Sequence, residues 1–62
     1  MKVKEYRVTR GLTQNELSNL LGITQQAYSR KERGERSFTI EEIKKLKQIF
    51  NISYEELFGE VN

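Results

Sequence analysis

Apolar residues recur along this chain at helical spacing, and the apolar–polar alternation typical of β-strands is scarce. At about 100° per residue, the stretch 40–50 gathers one apolar face, made of Ile40, Ile43, Leu46, Ile49 and Phe50. Such a face also occurs in amphipathic helices that bind membranes or calmodulin. We expect it to be core here, because a chain of 62 residues has few large apolar side chains to spare. In the stretch 14–21, Leu17, Leu20 and Leu21 form a second apolar cluster.

Three segments fit the capping box that begins helices, in which Ser or Thr is followed three positions later by Glu. They are TQNE (13–16), TIEE (39–42) and SYEE (53–56). Thr24 is a fourth helix cap, directly before Gln25. Residues suited to end helices in a left-handed conformation stand at Gly11, Gly22, Gly34 and Asn51.

These starts and ends predict five helices joined by short connections, at about 2–10, 14–21, 25–33, 40–50 and 54–59. The predicted fold class is a compact all-α, five-helix bundle, and the length fits a single domain over residues 1–62. Near the C-terminus we expect most apolar side chains to close the core and the remainder to form a patch for a dimer contact. These side chains are Ile52, Tyr54, Leu57, Phe58 and Val61.

The composition excludes several kinds of site. The chain has no His, Cys or Asp, so the usual zinc sites, disulfides and His-based catalysis are absent. We expect no metal, no cofactor and no enzymatic activity. No apolar run approaches the roughly 20 residues that span a bilayer. No signal-peptide pattern is present either, so a soluble cytoplasmic protein is expected.

Charge is distributed unevenly along the chain. Residues 1–36 carry eight Lys or Arg and four Glu, whereas residues 37–62 carry three Lys and five Glu. A basic half joined to a mildly acidic half suggests that a polyanion faces one side of the domain. A mixed-charge soluble surface is the alternative interpretation.

The predicted helix 25–33 has a markedly polar face. Five side chains that form hydrogen bonds share roughly 140° of arc: Gln25, Gln26, Ser29, Arg30 and Arg33. Gln pairs with the N6/N7 edge of adenine, and Arg pairs with O6/N7 of guanine. A solvated polar face is the other interpretation, and this helix by itself does not decide between the two.

The preceding segment favours the DNA interpretation, because residues 14–33 form a tight helix-turn-helix. In the turn, Gly22 permits the bend, Ile23 faces inward and Thr24 caps the second helix. The second helix of such a motif lies in the major groove of DNA. Gln14 opens the first helix, where its amide and the unpaired backbone N–H groups would then lie near a phosphate.

Two long segments resemble the phage Cro and repressor-type (XRE-like) helix-turn-helix family: RGLTQNELSNLLGITQQAYSRKERGER and EEIKKLKQIFNISYEELF. The resemblance covers about residues 3–58 and implies a lambda repressor-like domain that binds double-stranded DNA. The base-contacting residues that it implies are Gln25, Gln26 and Arg30. The phosphate-contacting residues that it implies are Gln14, Thr24, Ser29, Arg33 and Arg36. It also implies a structural ion pair between Arg7 and Glu32, and the helical wheel independently places Arg7 inward.

Three residues depart from the family pattern. Ser18 stands where Ala is preferred, and it is small enough to be tolerated. Phe38 stands where Pro is common, and it either packs on the core or is exposed at a partner surface. Lys31 stands on the inward face where the family usually has an apolar residue. We favour packing of its methylene stem while the amine reaches water or phosphate. The alternative is that helix 25–33 is rotated or is less deeply packed at its end.

Together these patterns predict a sequence-specific transcriptional regulator of phage or bacterial type that acts as a repressor. One recognition helix covers only a few base pairs, so we expect a homodimer on a two-fold symmetric operator, weakly associated or monomeric when free. We expect it on the nucleoid in a bacterial cytoplasm, encoded by a phage or a mobile element. The alternative is a protein-interaction module on the same scaffold, such as an antitoxin or an adaptor without an operator.

Overall fold

The computed structural model describes residues 1–59, and within that range the chain forms five α-helices. They are α1 (Val3–Thr9), α2 (Gln14–Leu21), α3 (Gln25–Glu32), α4 (Ile40–Phe50) and α5 (Tyr54–Phe58). Each helix begins and ends within one residue of its predicted bounds, which confirms the all-α, five-helix fold class. None of the helices in this part of the chain is long and apolar enough to cross a membrane.

The predicted capping boxes are all present, each with both of its hydrogen bonds. At α2, Thr13 Oγ1 accepts from the backbone N–H of Glu16 at 3.0 Å, and the Thr13 N–H donates to Glu16 Oε1 at 2.9 Å. At α3, Thr24 Oγ1 accepts from the backbone N–H of Ala27 at 3.1 Å. Because these bonds satisfy N–H groups that have no partner inside a helix, the local sequence is enough to specify where the helices begin.

Left-handed backbone conformations end α2, α4 and α5. Gly22 ends α2 with a φ of 73°, and Asn51 ends α4 with a φ of 54°. Glycine adopts this conformation without steric cost, and asparagine is among the few other residues that tolerate it. The chain therefore turns sharply at both points, and α3 and α5 return to the core.

Among residues 1–59, eight buried apolar side chains form the core, and every helix contributes at least one: Val3, Leu17, Leu21, Tyr28, Phe38, Leu46, Phe50 and Leu57. Phe38 lies between α3 and α4, is 8% exposed, and has its ring centroid 6.1 Å from that of Tyr28. Of its two possible placements, packing on the core is the one found. The ring of Tyr6 stacks on Phe50 with centroids 5.7 Å apart and so joins α1 to α4.

Two apolar residues that we expected in the core are exposed. Ile40 is 72% exposed and Leu20 is 52% exposed. The buried face of α4 is centred on Leu46, and Ile40, six residues earlier, points about 120° away from it. On α2 the buried face includes Ser18, and Leu20 lies on the opposite side of the helix from Ser18. The expectation of burial is therefore wrong for these two residues, because the neighbouring helices cover only part of each apolar arc.

The apolar residues near the C-terminus divide into two groups. Leu57 is fully buried and Ile52 packs against the core. Tyr54 and Phe58 are each 42% exposed, with ring centroids 6.4 Å apart. Val61 lies outside the described residues. Of the four described side chains, two close the core and two expose an apolar patch on α5.

Candidate nucleic-acid interface

Helices α2 and α3 are joined by the tight turn that the sequence predicted. The Ile23 N–H donates to the Ser18 carbonyl at 3.0 Å, and the Ile23 side chain packs against the core. Ser18 is fully buried, and its hydroxyl donates to the Asn15 carbonyl at 2.7 Å. The serine therefore fits at a close helix contact without leaving an unsatisfied polar group.

The outer face of α3, defined here by Gln25, Gln26 and Arg30, points to solvent. The side-chain hydrogen bonds of α3 are made by other residues of the helix, such as Tyr28 and Ser29. Within residues 1–59, no side-chain hydrogen bond involves the three residues of the outer face. Their amide and guanidinium groups are available to a ligand.

The C-terminal end of α3 is basic, and part of its charge is already paired. Arg33 Nη1 donates to Ser29 Oγ at 2.7 Å, and Arg33 Nε donates to Glu35 Oε2 at 2.8 Å. Both side chains of this ion pair are more than half exposed, so water screens it. The Arg33 guanidinium lowers the pKa of Glu35 below its usual value. Arg36 is exposed, and among the described residues no ion pair involves it.

Glu32, at the end of α3, accepts hydrogen bonds from three side chains. Arg7 Nε lies 2.8 Å from Glu32 Oε2, and Gln14 Nε2 donates to Glu32 Oε1 at 2.9 Å. The Tyr28 hydroxyl donates to Glu32 Oε2. Arg7 also donates to the Leu12 carbonyl at 2.8 Å through Nη1. This cluster ties α1, α2 and α3 together at one carboxylate.

The protonation states within this cluster are set by burial and by the hydrogen bonds. Burial acts to raise the pKa of Glu32, but donors from Arg7, Tyr28 and Gln14 outweigh it, and the net pKa is lowered. The hydrogen bond to Glu32 raises the pKa of Arg7, and burial raises that of Tyr28. The carboxylate is therefore ionised beside a cation and a neutral phenol. Within residues 1–59, no three His, Cys, Asp or Glu side chains are placed to hold a metal ion.

The structure brings Arg7 and Glu32 together, at the positions that the resemblance pairs. It also places Gln14, which we expected at a phosphate, against Glu32. An amide nitrogen has two N–H groups, so a second donor on Gln14 is left over for another acceptor. The hydrogen bond from Tyr28 to Glu32 was not predicted from the sequence. Their spacing of four residues on one helix is the signal that could have found it.

Lys31 is placed differently from both sequence expectations. Its Nζ lies 2.6 and 2.8 Å from the two carboxylate oxygens of Glu42, and its side chain is 12% exposed. The expectation that the amine would reach water or phosphate is wrong, because the buried carboxylate of Glu42 requires a cation. Loose packing at the end of α3 is not found either, because the side chains of Glu32 and Lys31 there are only 3% and 12% exposed. The sequence analysis had assigned Glu42 to its capping box alone.

Comparison with known proteins agrees with this geometry. A family profile described as helix-turn-helix matches residues 3–57. The chain belongs to the helix-turn-helix family. It is also 40% identical over 58 residues to the antitoxin PezA of Streptococcus pneumoniae serotype 4 (strain ATCC BAA-334 / TIGR4), and the match covers 94% of this chain. The chain spans only 37% of the length of that relative. No solved structure matches the chain.

Acid should destabilise this helix-turn-helix domain through its buried carboxylates. Burial acts to raise the pKa of Glu42, but hydrogen bonds from Lys31 and Thr39 outweigh it, and the pKa lies below the usual 4.5. The pKa of Glu32 is lowered in the same sense. As the pH falls, these two carboxylates therefore bind protons at a higher pH in the unfolded chain than in the folded one. The stabilisation is complete above pH 4.5 and is lost as the pH falls through the lower pKa of the folded state.

Urea unfolding of the wild type and of two matched variants, followed from about pH 7 down to about pH 3, measures this effect. Glu42→Gln should lose less stability on acidification than the wild type, because one of the two carboxylates with a lowered pKa is gone. Glu41→Gln, on the exposed side of the same turn, should follow the wild-type curve. Parallel curves for Glu42→Gln and the wild type would contradict the assignment.

Proposed function

We propose that this helix-turn-helix domain is a sequence-specific, double-stranded-DNA-binding transcriptional regulator that acts as a repressor. The observation that supports it is the outer face of α3, where Gln25, Gln26 and Arg30 are exposed and hold no partner within residues 1–59. An α-helix fits the major groove, and the first residues of a recognition helix contact the base edges. We assign adenine contacts to the two glutamines and a guanine contact to the arginine.

Phosphate contacts would surround the outer face. Arg36 is exposed, and Arg33 can exchange its screened carboxylate partner for a phosphate. Thr24 and Ser29 present hydroxyls on the same helix, and each hydroxyl can donate while it accepts. Gln14 holds its second amide N–H at the start of α2, where the helix dipole favours an anion. These contacts would position α3 and leave the choice of sequence to the outer face.

Such a regulator would bind as a homodimer. One α3 covers a few base pairs, so two copies would occupy half-sites about 34 Å apart on a two-fold symmetric operator. The exposed rings of Tyr54 and Phe58 support an apolar contact between copies. Because this patch is small, we expect the free protein to be monomeric or weakly associated. The protein would act on the nucleoid in a bacterial cytoplasm.

Selection of binding sites from a random duplex library tests the proposal. We expect a short, two-fold symmetric sequence to be enriched at moderate salt. Gln26→Ala should lose the preference at one base step, at a cost of about 1–3 kcal/mol in binding free energy for the original base. Gln48→Ala, an exposed glutamine on α4, is the matched control and should keep the wild-type preference. Failure of the wild type to enrich any sequence would remove the proposal.

The loss of a phosphate contact should differ from the loss of a base contact in its effect on the salt dependence of binding. Arg36→Ala should weaken binding to all sequences alike and lower the salt slope of log K by about one, because one counterion fewer is released. Lys45→Ala removes the same charge from an exposed position on α4 and should change the slope little. Equal slopes for the two variants would show that Arg36 acts only through net charge.

One specific observation favours a second candidate. The 40% identity to an antitoxin supports a role for this chain as part of an antitoxin that counteracts a toxin. The two functions differ in what the outer face of α3 must do, because an interaction module without an operator does not need base-reading side chains. If the selection enriches no duplex sequence, the protein-interaction function replaces the regulator as the better proposal.

A further inference from the structure

The ion pair between Lys31 and Glu42 spans the loop that joins α3 to α4 (residues 33–39, the α3–α4 loop). Lys31 lies one residue before the end of α3, and Glu42 lies in the first turn of α4. Glu42 Oε1 also accepts from the backbone N–H of Thr39 at 2.9 Å, as part of the α4 capping box. One carboxylate thus holds both the end of α3 and the start of α4.

Other contacts also hold the α3–α4 loop, among them the exposed Arg33–Glu35 ion pair. At its first end, the backbone N–H groups of Gly34 and Glu35 donate to carbonyls of α3. At its far end, Phe38 is buried in the core. Between these anchors the loop borders an open cavity of about 310 Å³ whose lining includes Lys31 and Arg36. The ion pair therefore joins the two ends of the loop beside this cavity.

We propose that Lys31, acting through Glu42, is a positioning residue for DNA binding that holds the α3–α4 loop, and with it Arg36, at a fixed place relative to the outer face of α3. This inference rests on the proposed function. A buried ion pair is often no more stable than a well-packed apolar pair of similar size. Its two short, directional bonds do, however, fix the relative positions of α3 and α4 in a way that an apolar contact does not.

A pure charge effect and a positioning effect predict opposite changes in DNA affinity for Glu42→Gln. If only net charge mattered, Lys31→Met would weaken DNA binding and Glu42→Gln would tighten it, because the second removes a negative charge. If the pair positions the loop, both variants weaken binding. Glu42→Gln is a suitable probe because Gln also serves at this position of a capping box, so the start of α4 is retained.

The experiment measures Kd and the salt slope of the full chain for the duplex selected by the wild type. We expect Lys31→Met and Glu42→Gln each to bind about tenfold more weakly, which corresponds to the loss of one charge-assisted hydrogen bond. Their salt slopes should fall by about one. Lys31→Arg keeps the cation beside Glu42 and should bind within about twofold of the wild type. The base preference should be unchanged in all three variants.

Two further variants separate positioning from folding. The double variant Lys31→Met/Glu42→Gln has the wild-type net charge and leaves no unpaired buried charge, so it should fold, as circular dichroism will show, and still bind about tenfold more weakly. In an Arg36→Ala background, Lys31→Met should have no further effect, because the contact that it positions is already absent.

Tighter binding by Glu42→Gln, wild-type binding by the double variant, or full additivity with Arg36→Ala would each overturn the positioning role. If the wild type enriches a sequence and the variants do not differ from it, the positioning role fails and the proposed function stands. If the wild type enriches no sequence, both fail together.

Discussion

Replacing Glu32 by Leu should remove about 3–5 kcal/mol from the free energy of unfolding, which is a large part of what a domain of this size possesses. The Glu32 side chain is 3% exposed and the Arg7 side chain 12%. Without the carboxylate, the Arg7 cation is left with the Leu12 carbonyl as its remaining partner within the described residues. The fully buried Tyr28 also loses the acceptor of its hydroxyl. Urea unfolding followed by circular dichroism measures the loss.

Removal of both charges should recover part of this loss. Arg7→Met alone leaves the Glu32 carboxylate without its cation and should be similarly costly. We expect Arg7→Met/Glu32→Leu to be more stable than either single variant, and addition of Tyr28→Phe to recover more by removing a buried hydroxyl that has lost its acceptor. Glu35→Leu is the matched control at an exposed, solvent-screened ion pair and should change the stability little. Strict additivity of the Arg7 and Glu32 losses would contradict a coupled pair.

Truncation of Phe50 should have an effect of comparable size. Its ring is fully buried and stacks on Tyr6, so Phe50→Ala removes a large apolar contact and leaves a cavity between α1 and α4. The expected loss is about 3–5 kcal/mol in the free energy of unfolding. For a chain of 62 residues, such a loss should leave a substantial unfolded fraction at room temperature, visible as lost helical circular dichroism.

Phe58→Ala provides a matched control for this truncation. Phe58 has the same side chain but is 42% exposed on α5, so its removal should cost no more than about 1 kcal/mol. Equal losses at the two positions would show that α5 is held by Phe58 far more strongly than its exposure indicates. If Phe58→Ala instead lowers the affinity for the operator while the fold is intact, the α5 patch is supported as the dimer contact.

Local sequence determined where the helices begin and end. The Thr and Ser caps, the Glu three positions later and the left-handed terminators each act over four or five residues, so neighbours in sequence are enough to specify them. For the same reason the outer face of α3 could be predicted: Gln25, Gln26 and Arg30 share one side of any regular helix over these residues.

Burial and pairing across helices could not be obtained in the same way. The wheel placed Ile40 on an apolar face, yet only the packing of α4 shows that the buried arc is centred on Leu46. The pairing of Lys31 with Glu42 could not be predicted from the sequence, because the two residues lie eleven positions apart. Glu42 was already assigned to its capping box, and Lys31 to packing of its methylene stem. The position of a second helix decides which part of an apolar arc is buried. It also decides which charged side chains form ion pairs.

The sequence by itself therefore determined the five helices, the helix-turn-helix and the polar outer face of α3, since all three follow from short-range periodicity and capping chemistry. Only the tertiary structure decided that Glu32 accepts from three side chains and that Lys31 turns to Glu42. Burial of a carboxylate forces it to find donors, and those donors come from whichever segments the fold brings within about 3 Å.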